Sequence, residues 1–199
     1  MAVAVSTPKT LSRLKLAERH SALTRRLILD AALETLERDS VGGLTVRAVA
    51  KRANIAERTV FRYFADRDAF LDAVADAARA RLALPPPPRT KEELLAAPRA
   101  LYSRFEEMAR LTKASLHSEL FHRIRNRVAQ TRWVAVRKLV DELASRASER
   151  QRRIAAANIR YYLTATSWHY YRFYMGLGLE DTIACAEAAI GQTLASIRP

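Results

Sequence analysis

The 199 residues carry 34 Lys and Arg against 21 Asp and Glu, a formal charge of +13, and 49% of them are apolar. That length allows one domain or two small ones with a sizeable core, and the basic balance favours a polyanionic partner through counterion release. One cysteine, Cys185, excludes an intrachain disulfide framework, and no run of 18 apolar residues offers a membrane span.

The N-terminus has no long apolar stretch behind its charges, so it reads poorly as a signal peptide. Together with the lone cysteine this gives the expectation of a cytoplasmic protein. Glycine is scarce, at 5 residues. Alanine, leucine, arginine and glutamate dominate, and strand-like alternation is absent. The expectation is an all-α protein of about nine helices.

Residues 1–20 spread Lys9, Arg13, Lys15 and Arg19 over polar spacing. They read as a flexible basic arm, a disordered tail or a helix extension, and an arm of that charge suits phosphates or the minor groove. A first helix is expected from about Thr24 to Ser40, with Leu27, Ile28, Ala31, Ala32 and Leu36 near helical period and Gly42–Gly43 ending it.

The stretch from Leu44 to Phe64 reads L-T-V-R-A-V-A-K-R-A-N-I-A-E-R-T-V-F-R-Y-F. Thr45 suits an N-cap. Val46, Val49, Ala50 and Ala53 follow at i, i+3, i+4 and i+7, one apolar stripe. Asn54 suits a turn residue with positive φ. A third helix is expected over Ala56–Phe64, with Val60, Phe61 and Phe64 inward and Glu57, Arg58, Thr59, Arg62 and Tyr63 on a polar face. Two short helices joined in this way present the second to the DNA major groove.

Asp66 is placed to cap a fourth helix, which carries Phe70, Leu71, Val74, Ala77 and Ala78 inward and runs to about Leu84. Pro85–Pro88 then forms a stiff extended connector. Five further helices are expected at about Pro98–Leu111, Lys113–Arg123, Arg127–Ala147, Glu149–Met175 and Glu180–Ile197. The last places Ile183, Ala186, Ile190, Leu194 and Ile197 on one stripe.

The residues from Ile28 to about Leu71, above all L-T-V-R-A-V-A-K-R-A-N-I-A-E-R-T-V-F-R-Y-F-A-D-R-D-A-F-L, resemble the tetracycline-repressor-like (TetR) family of one-component regulators. The resemblance covers about a quarter of the chain. Three positions depart from the common pattern. Asn54 stands where glycine is usual, Phe61 where tyrosine is usual, and Arg67 where lysine is usual. The Phe61 change removes a phenolic contact to phosphate.

The domain plan expected is an arm over 1–20, a helix-turn-helix DNA-binding domain over 21–66, a connecting helix over 67–84, a proline-rich linker over 85–90, and a ligand-binding and dimerisation domain over 91–199. Arg58 and Arg62, four apart on one helical face, suit base edges, since arginine meets guanine bidentately, and either also suits a phosphate contact. Thr45, Arg47, Tyr63 and Arg67 suit the phosphate backbone. Glu57 favours its helix N-terminus, accepts from cytosine, or does neither.

The resemblance implies a homodimer through the last two helices, double-stranded DNA as partner, and an effector pocket in the second domain. Lining candidates are Leu101, Phe105, Met108, Leu116, Leu120, Phe121, Trp133, Tyr161, Tyr162, Ala165 and Trp168. Arg123, Arg125, Arg127, Arg132, Arg137 and Lys138 form an acid-free basic run. It reads as a solvated face or as a feature for an anionic ligand, so the unknown effector is expected to be apolar or apolar-anionic.

No cofactor or metal is expected. His117 and His122 diverge by about 140° on a helix, and Glu119 with His122 forms one Glu-x-x-His element where a di-metal bundle needs two. No phosphate loop, dinucleotide fingerprint or nucleophile elbow is present. The reading is a ligand-responsive, homodimeric repressor of a pseudo-palindromic operator and not an enzyme. A helical-bundle enzyme or small-molecule carrier is the alternative.

Overall fold

The computed structural model describes residues 8–38 and 44–197, with side chains from Leu16 onward. Within these residues the chain forms ten α-helices and one π turn, with no strand. Two compact units divide near residue 77.

The N-terminal unit contains α1 (Pro8–Arg38), α2 (Val46–Arg52), α3 (Glu57–Tyr63) and the start of α4 (Arg67–Leu82). Helix α1 is longer than its apolar period indicates: residues 8–20, read as an arm, continue it toward the N-terminus. Residues 1–7 and the Gly42–Gly43 stop lie outside the described residues. The core joins Ile28, Ala31, Ala32 and Leu36 of α1 to Val49, Ala50 and Ala53, to Val60 and Phe64, and to Phe70, Leu71 and Val74. Phe64 and Phe70 meet edge-to-face with centroids 5.4 Å apart, a favoured quadrupole arrangement.

Two inward assignments were wrong. Leu27 is exposed, and Leu33 is buried in α1 together with Leu36. Phe61 is 51% exposed. Only Val60 and Phe64, one turn apart, share the inner stripe of α3, and Phe61 lies about 100° round from Val60.

The C-terminal unit holds the end of α4, then α5 (Lys91–Glu107), α6 (Ala109–Leu116), α7 (Leu120–Leu143), α8 (Glu149–Tyr162), α9 (Ala165–His169) running into a π turn (Tyr170–Tyr174), and α10 (Leu179–Ser196). Helix α5 starts seven residues before the expected Pro98. Thr90 accepts from the Glu93 amide at 3.2 Å, and the Glu93 carboxylate accepts from the Arg89 amide at 2.7 Å. These bonds anchor a helix start strong enough to carry Pro98 in its interior, buried.

The long aromatic helix expected over Glu149–Met175 is broken. Ser148 and Gln151 form a capping box at its start. At Thr164 the backbone turns extended (φ −125, ψ 156), and its hydroxyl accepts from the Ser167 amide, opening α9. The Tyr102 hydroxyl binds the Tyr162 carbonyl (2.7 Å) and the Ser167 hydroxyl (2.9 Å), pinning that break to α5. Burial raises the Tyr102 pKa well above its ordinary value, which keeps the phenol neutral as a donor.

Helix α10 buries the stripe Ile183, Ala186, Ile190, Leu194 and Ile197 against α5 and α8 of the same chain. Trp168 is fully buried, and its indole N–H donates to Glu106. Arg172 also pairs with Glu106, at 2.6 Å, which ties the π turn to α5 and lowers the Glu106 pKa.

Candidate nucleic-acid interface and C-terminal cavity

The helix-turn-helix is built from local chemistry. Thr45, extended at φ −110 and ψ 151, caps α2 by accepting from the Ala48 amide at 3.1 Å. Its hydroxyl proton stays available to an outside acceptor such as a phosphate oxygen. Asn54 takes φ 53 in the turn, the left-handed region that asparagine tolerates better than most residues. The Asn54 and Ile55 amides bond back to Lys51 and Ala50 carbonyls, closing the turn. Asp66 caps α4 through the Ala69 amide at 2.7 Å.

This frame leaves Glu57, Arg58, Phe61 and Arg62 exposed along one side of α3. Arg58 and Arg62 lie one turn apart, so their guanidiniums project in nearly the same direction. The Arg62 guanidinium lies 5.5 Å from the Tyr63 ring centroid. Phe61 adds an exposed apolar ring between the charged side chains. It suits a thymine methyl or a sugar face rather than the fold's core. Its outward placement was missed because an aromatic in a short helix defaults to the core by composition.

Thr59 and Tyr63 are half-buried on the flank of α3. The Tyr63 phenol is held below its ordinary pKa, chiefly by the Thr24 side chain of α1, with smaller contributions from Ser21 and Arg62. Tyr63 therefore lies beside α1, a placement that its sequence position alone did not reveal. Thr45, Arg47 and Arg67 are exposed around the same motif, and Arg67 has an intramolecular partner.

The C-terminal unit encloses a cavity of about 840 Å³, within the range that accommodates drug-sized ligands. Seven of the lining candidates meet there: Leu101, Phe105, Leu116, Phe121, Trp133, Tyr161 and Ala165. Four do not. Leu120 and Trp168 are fully buried in the packed interior, Met108 sits at the α5–α6 junction, and Tyr162 gives its carbonyl to Tyr102. Leu120, Tyr162 and Trp168 belong to helices that bound the cavity, but apolar character does not say which side of a helix faces a void.

The wall also contains residues that hydrophobicity could not select. Thr112 and Ser115 of α6, Arg125 and Arg132 of α7, and Arg160 of α8 all line it. Of the acid-free basic run, Arg125 and Arg132 reach the cavity. Arg137 instead binds Asp141 and Glu149. Cys185 is half-buried on α10, as an ordinary packing residue would be. His117 and His122 do not meet; His117 stands against His169, with Nε2 atoms 3.3 Å apart. Among the described residues no cluster of three His, Cys, Asp or Glu can hold a metal, and no helix is long and apolar enough to cross a membrane.

Residues 28–74 match the family model described as bacterial regulatory proteins, tetR family. Over this segment the chain is similar to the TetR family. It is 41% identical over 49 residues to the HTH-type transcriptional regulator BetI of Paraburkholderia phymatum, and 37% identical over 51 residues to BetI of Paraburkholderia phytofirmans. Those alignments cover 25% and 26% of this chain, and the chain spans about a quarter of the length of these curated relatives. A TetR-assigned regulator from Mesorhizobium loti MAFF303099 overlays 88% of this chain and 97% of its own, at 16% identity and a TM-score of 0.49. The segment that matches the family model contains α2, α3 and the Asn54 turn.

Proposed function

We propose that the protein is a transcriptional regulator that binds a pseudo-palindromic operator as a homodimer and is released from it by a small-molecule effector. The observation that carries the reading is the outward face of α3, where Arg58 and Arg62 stand exposed on a helix held by Thr45, Asn54 and Asp66. Arg58 and Arg62 read base edges. Thr45, Arg47 and Arg67 hold phosphates, and Tyr63 sets the angle of the recognition helix. Glu57 accepts from cytosine or favours its helix N-terminus.

Dimerisation is supported by what α8 and α10 leave uncovered. The buried stripe of α10 is spent within the subunit, but Ala184, Ala188, Gln192 and Ala195 remain exposed on its other side. On α8, Ile154 and Tyr161 are exposed as well. Small residues allow close helix approach, and a two-fold pairing of these helices makes a four-helix bundle. Two α3 helices then meet successive major grooves about 34–36 Å apart.

The cavity is the effector site in this reading. Its wall includes Leu82, the last residue of α4, whose first turn follows the recognition helix. A ligand that prefers one placement of α4 shifts the operator-competent population.

The test is an electrophoretic or anisotropy titration against DNA flanking the protein's own gene, followed by an unbiased operator selection. Sequence-dependent, salt-sensitive binding supports the reading, and equal affinity for random duplex overturns it. Arg62→Ala is expected to cost about 1–3 kcal/mol of operator binding. The same variant should remain a dimer by sedimentation. Ala188→Arg should give monomers and lose operator affinity; a dimer that survives this change moves the interface elsewhere.

A further inference from the structure

The cavity carries a charge problem that the fold does not solve. Arg125, Arg132 and Arg160 line a wall that is otherwise mostly apolar, and no Asp or Glu lines it with them. Each arginine has limited internal employment. Arg132 gives one N–H to the Pro85 carbonyl at 2.6 Å, and Arg160 gives one to the Leu163 carbonyl at 3.1 Å. The Arg125 guanidinium stands 5.9 Å from the Phe121 ring centroid. A guanidinium has five N–H donors, so most of this donor capacity is left over.

Burial opposes the charge of Arg132 and of Arg160, and for Arg160 the nearby Arg132 and Arg125 charges add to the opposition. A second observation is independent of charge. The hydroxyls of Thr112 and Ser115 line the same cavity, are 98% and 93% buried as residues, and have no hydrogen-bond partner. Buried hydroxyls are normally satisfied, and two on one face of one helix mark a place where a polar group is expected.

We propose that the cavity takes an amphipathic organic anion, an acidic head group on an apolar chain or ring, with Arg125, Arg132 and Arg160 receiving the acid and Thr112 and Ser115 bonding to the ligand's polar atoms. This rests on the reading of the cavity as the effector site. A neutral apolar ligand would displace the water that solvates the arginines and return nothing to them, which is costly for buried charge. A cation would add to the repulsion. A carboxylate or phosphate ester replaces the lost solvation with charge-assisted, bidentate bonds, the geometry in which arginine excels. The apolar side of the wall, with Leu101, Phe105, Val128 and Trp133, receives the carbon skeleton.

The test uses the whole protein and a neutral fluorescent reporter, N-phenyl-1-naphthylamine, displaced by dodecanoate or by dodecanol below their aggregation limits. Dodecanoate is expected to displace the reporter at a concentration at least about ten-fold lower than dodecanol, the gain of one or more charged hydrogen bonds. In Arg132→Gln/Arg160→Gln the ratio should fall to about one, with dodecanol unchanged. Should the double variant unfold, Arg125→Gln, at an exposed position, should still reduce the ratio several-fold. Reporter binding with equal displacement by acid and alcohol overturns the anionic head group and leaves the cavity reading standing. A protein that takes up no reporter and neither amphiphile overturns both.

Discussion

Helices α7 and α8 are paired through the C-terminal unit, and the arginines at the two ends of that pair obey opposite rules. Near the turn between them, Arg137 binds Asp141 at 2.9 Å, and Arg152 binds the same carboxylate at 2.8 Å and Glu149 at 3.2 Å. Arg152 also donates to the Ala147 carbonyl at 2.6 Å, closing the end of α7. Away from the turn, Arg125, Arg132 and Arg160 meet around a cavity without acids. One cluster is complete within the subunit and the other awaits a partner. The basic run in the sequence joins both, so charge density alone does not separate a structural network from a binding site. The placement of the acids does.

The contrast can be broken by substitution. Arg152→Met should have the largest effect, about 1–2 kcal/mol of lost stability, because it removes charge-assisted bonds from a largely buried guanidinium and a helix-end contact. In a protein of this size that lowers Tm by roughly 2–8 °C, measured by calorimetry or circular dichroism. Arg160→Met is expected to lie within about 0.5 kcal/mol of wild type, since relief of burial and like-charge repulsion offsets the lost bond to Leu163. A loss as large as that of Arg152 would make the cavity arginine structural and erase the distinction.

Acid titration sharpens the same comparison more gently. The Asp141 and Glu149 carboxyls are both held below their ordinary pKa, mainly by hydrogen bonds from Arg137. Their stabilisation is therefore fully present above the unfolded values of roughly 3.9 and 4.3 and is lost as pH falls through the lower folded values. Urea unfolding from pH 6 to 3 should show this loss in wild type and a smaller slope in Asp141→Asn. Arg160→Met should keep the wild-type slope, because the cavity arginines have no carboxylate to titrate there. A flattened slope in Arg160→Met would reveal a hidden acid partner.

Local signals explain why the N-terminal unit was the more legible half. Thr45, Asn54 and Asp66 each state a backbone geometry through one side chain, and each takes the position that its chemistry indicates. The same kind of signal was present at Thr90 and Glu93 and at Thr164 and Ser167, but Pro98 and the aromatic run masked it. Phe61 and Leu27 went the other way. Their hydrophobicity indicates burial, and only the angular position on α3 and α1 puts them outside.

Composition, helical period and capping residues by themselves determined that the chain is all-α, that its N-terminal part is a helix-turn-helix, and that Arg58 and Arg62 share the outer face of α3. These follow from interactions within about four residues, which a one-dimensional reading can follow. The cavity, the orphan hydroxyls of Thr112 and Ser115, the meeting of Arg160 with Arg132, and the placement of Tyr63 beside Thr24 were decided by tertiary structure alone. They depend on which sides of distant helices are left facing one another after the core has packed, and that choice is made by the three-dimensional fit of side chains far apart in the chain.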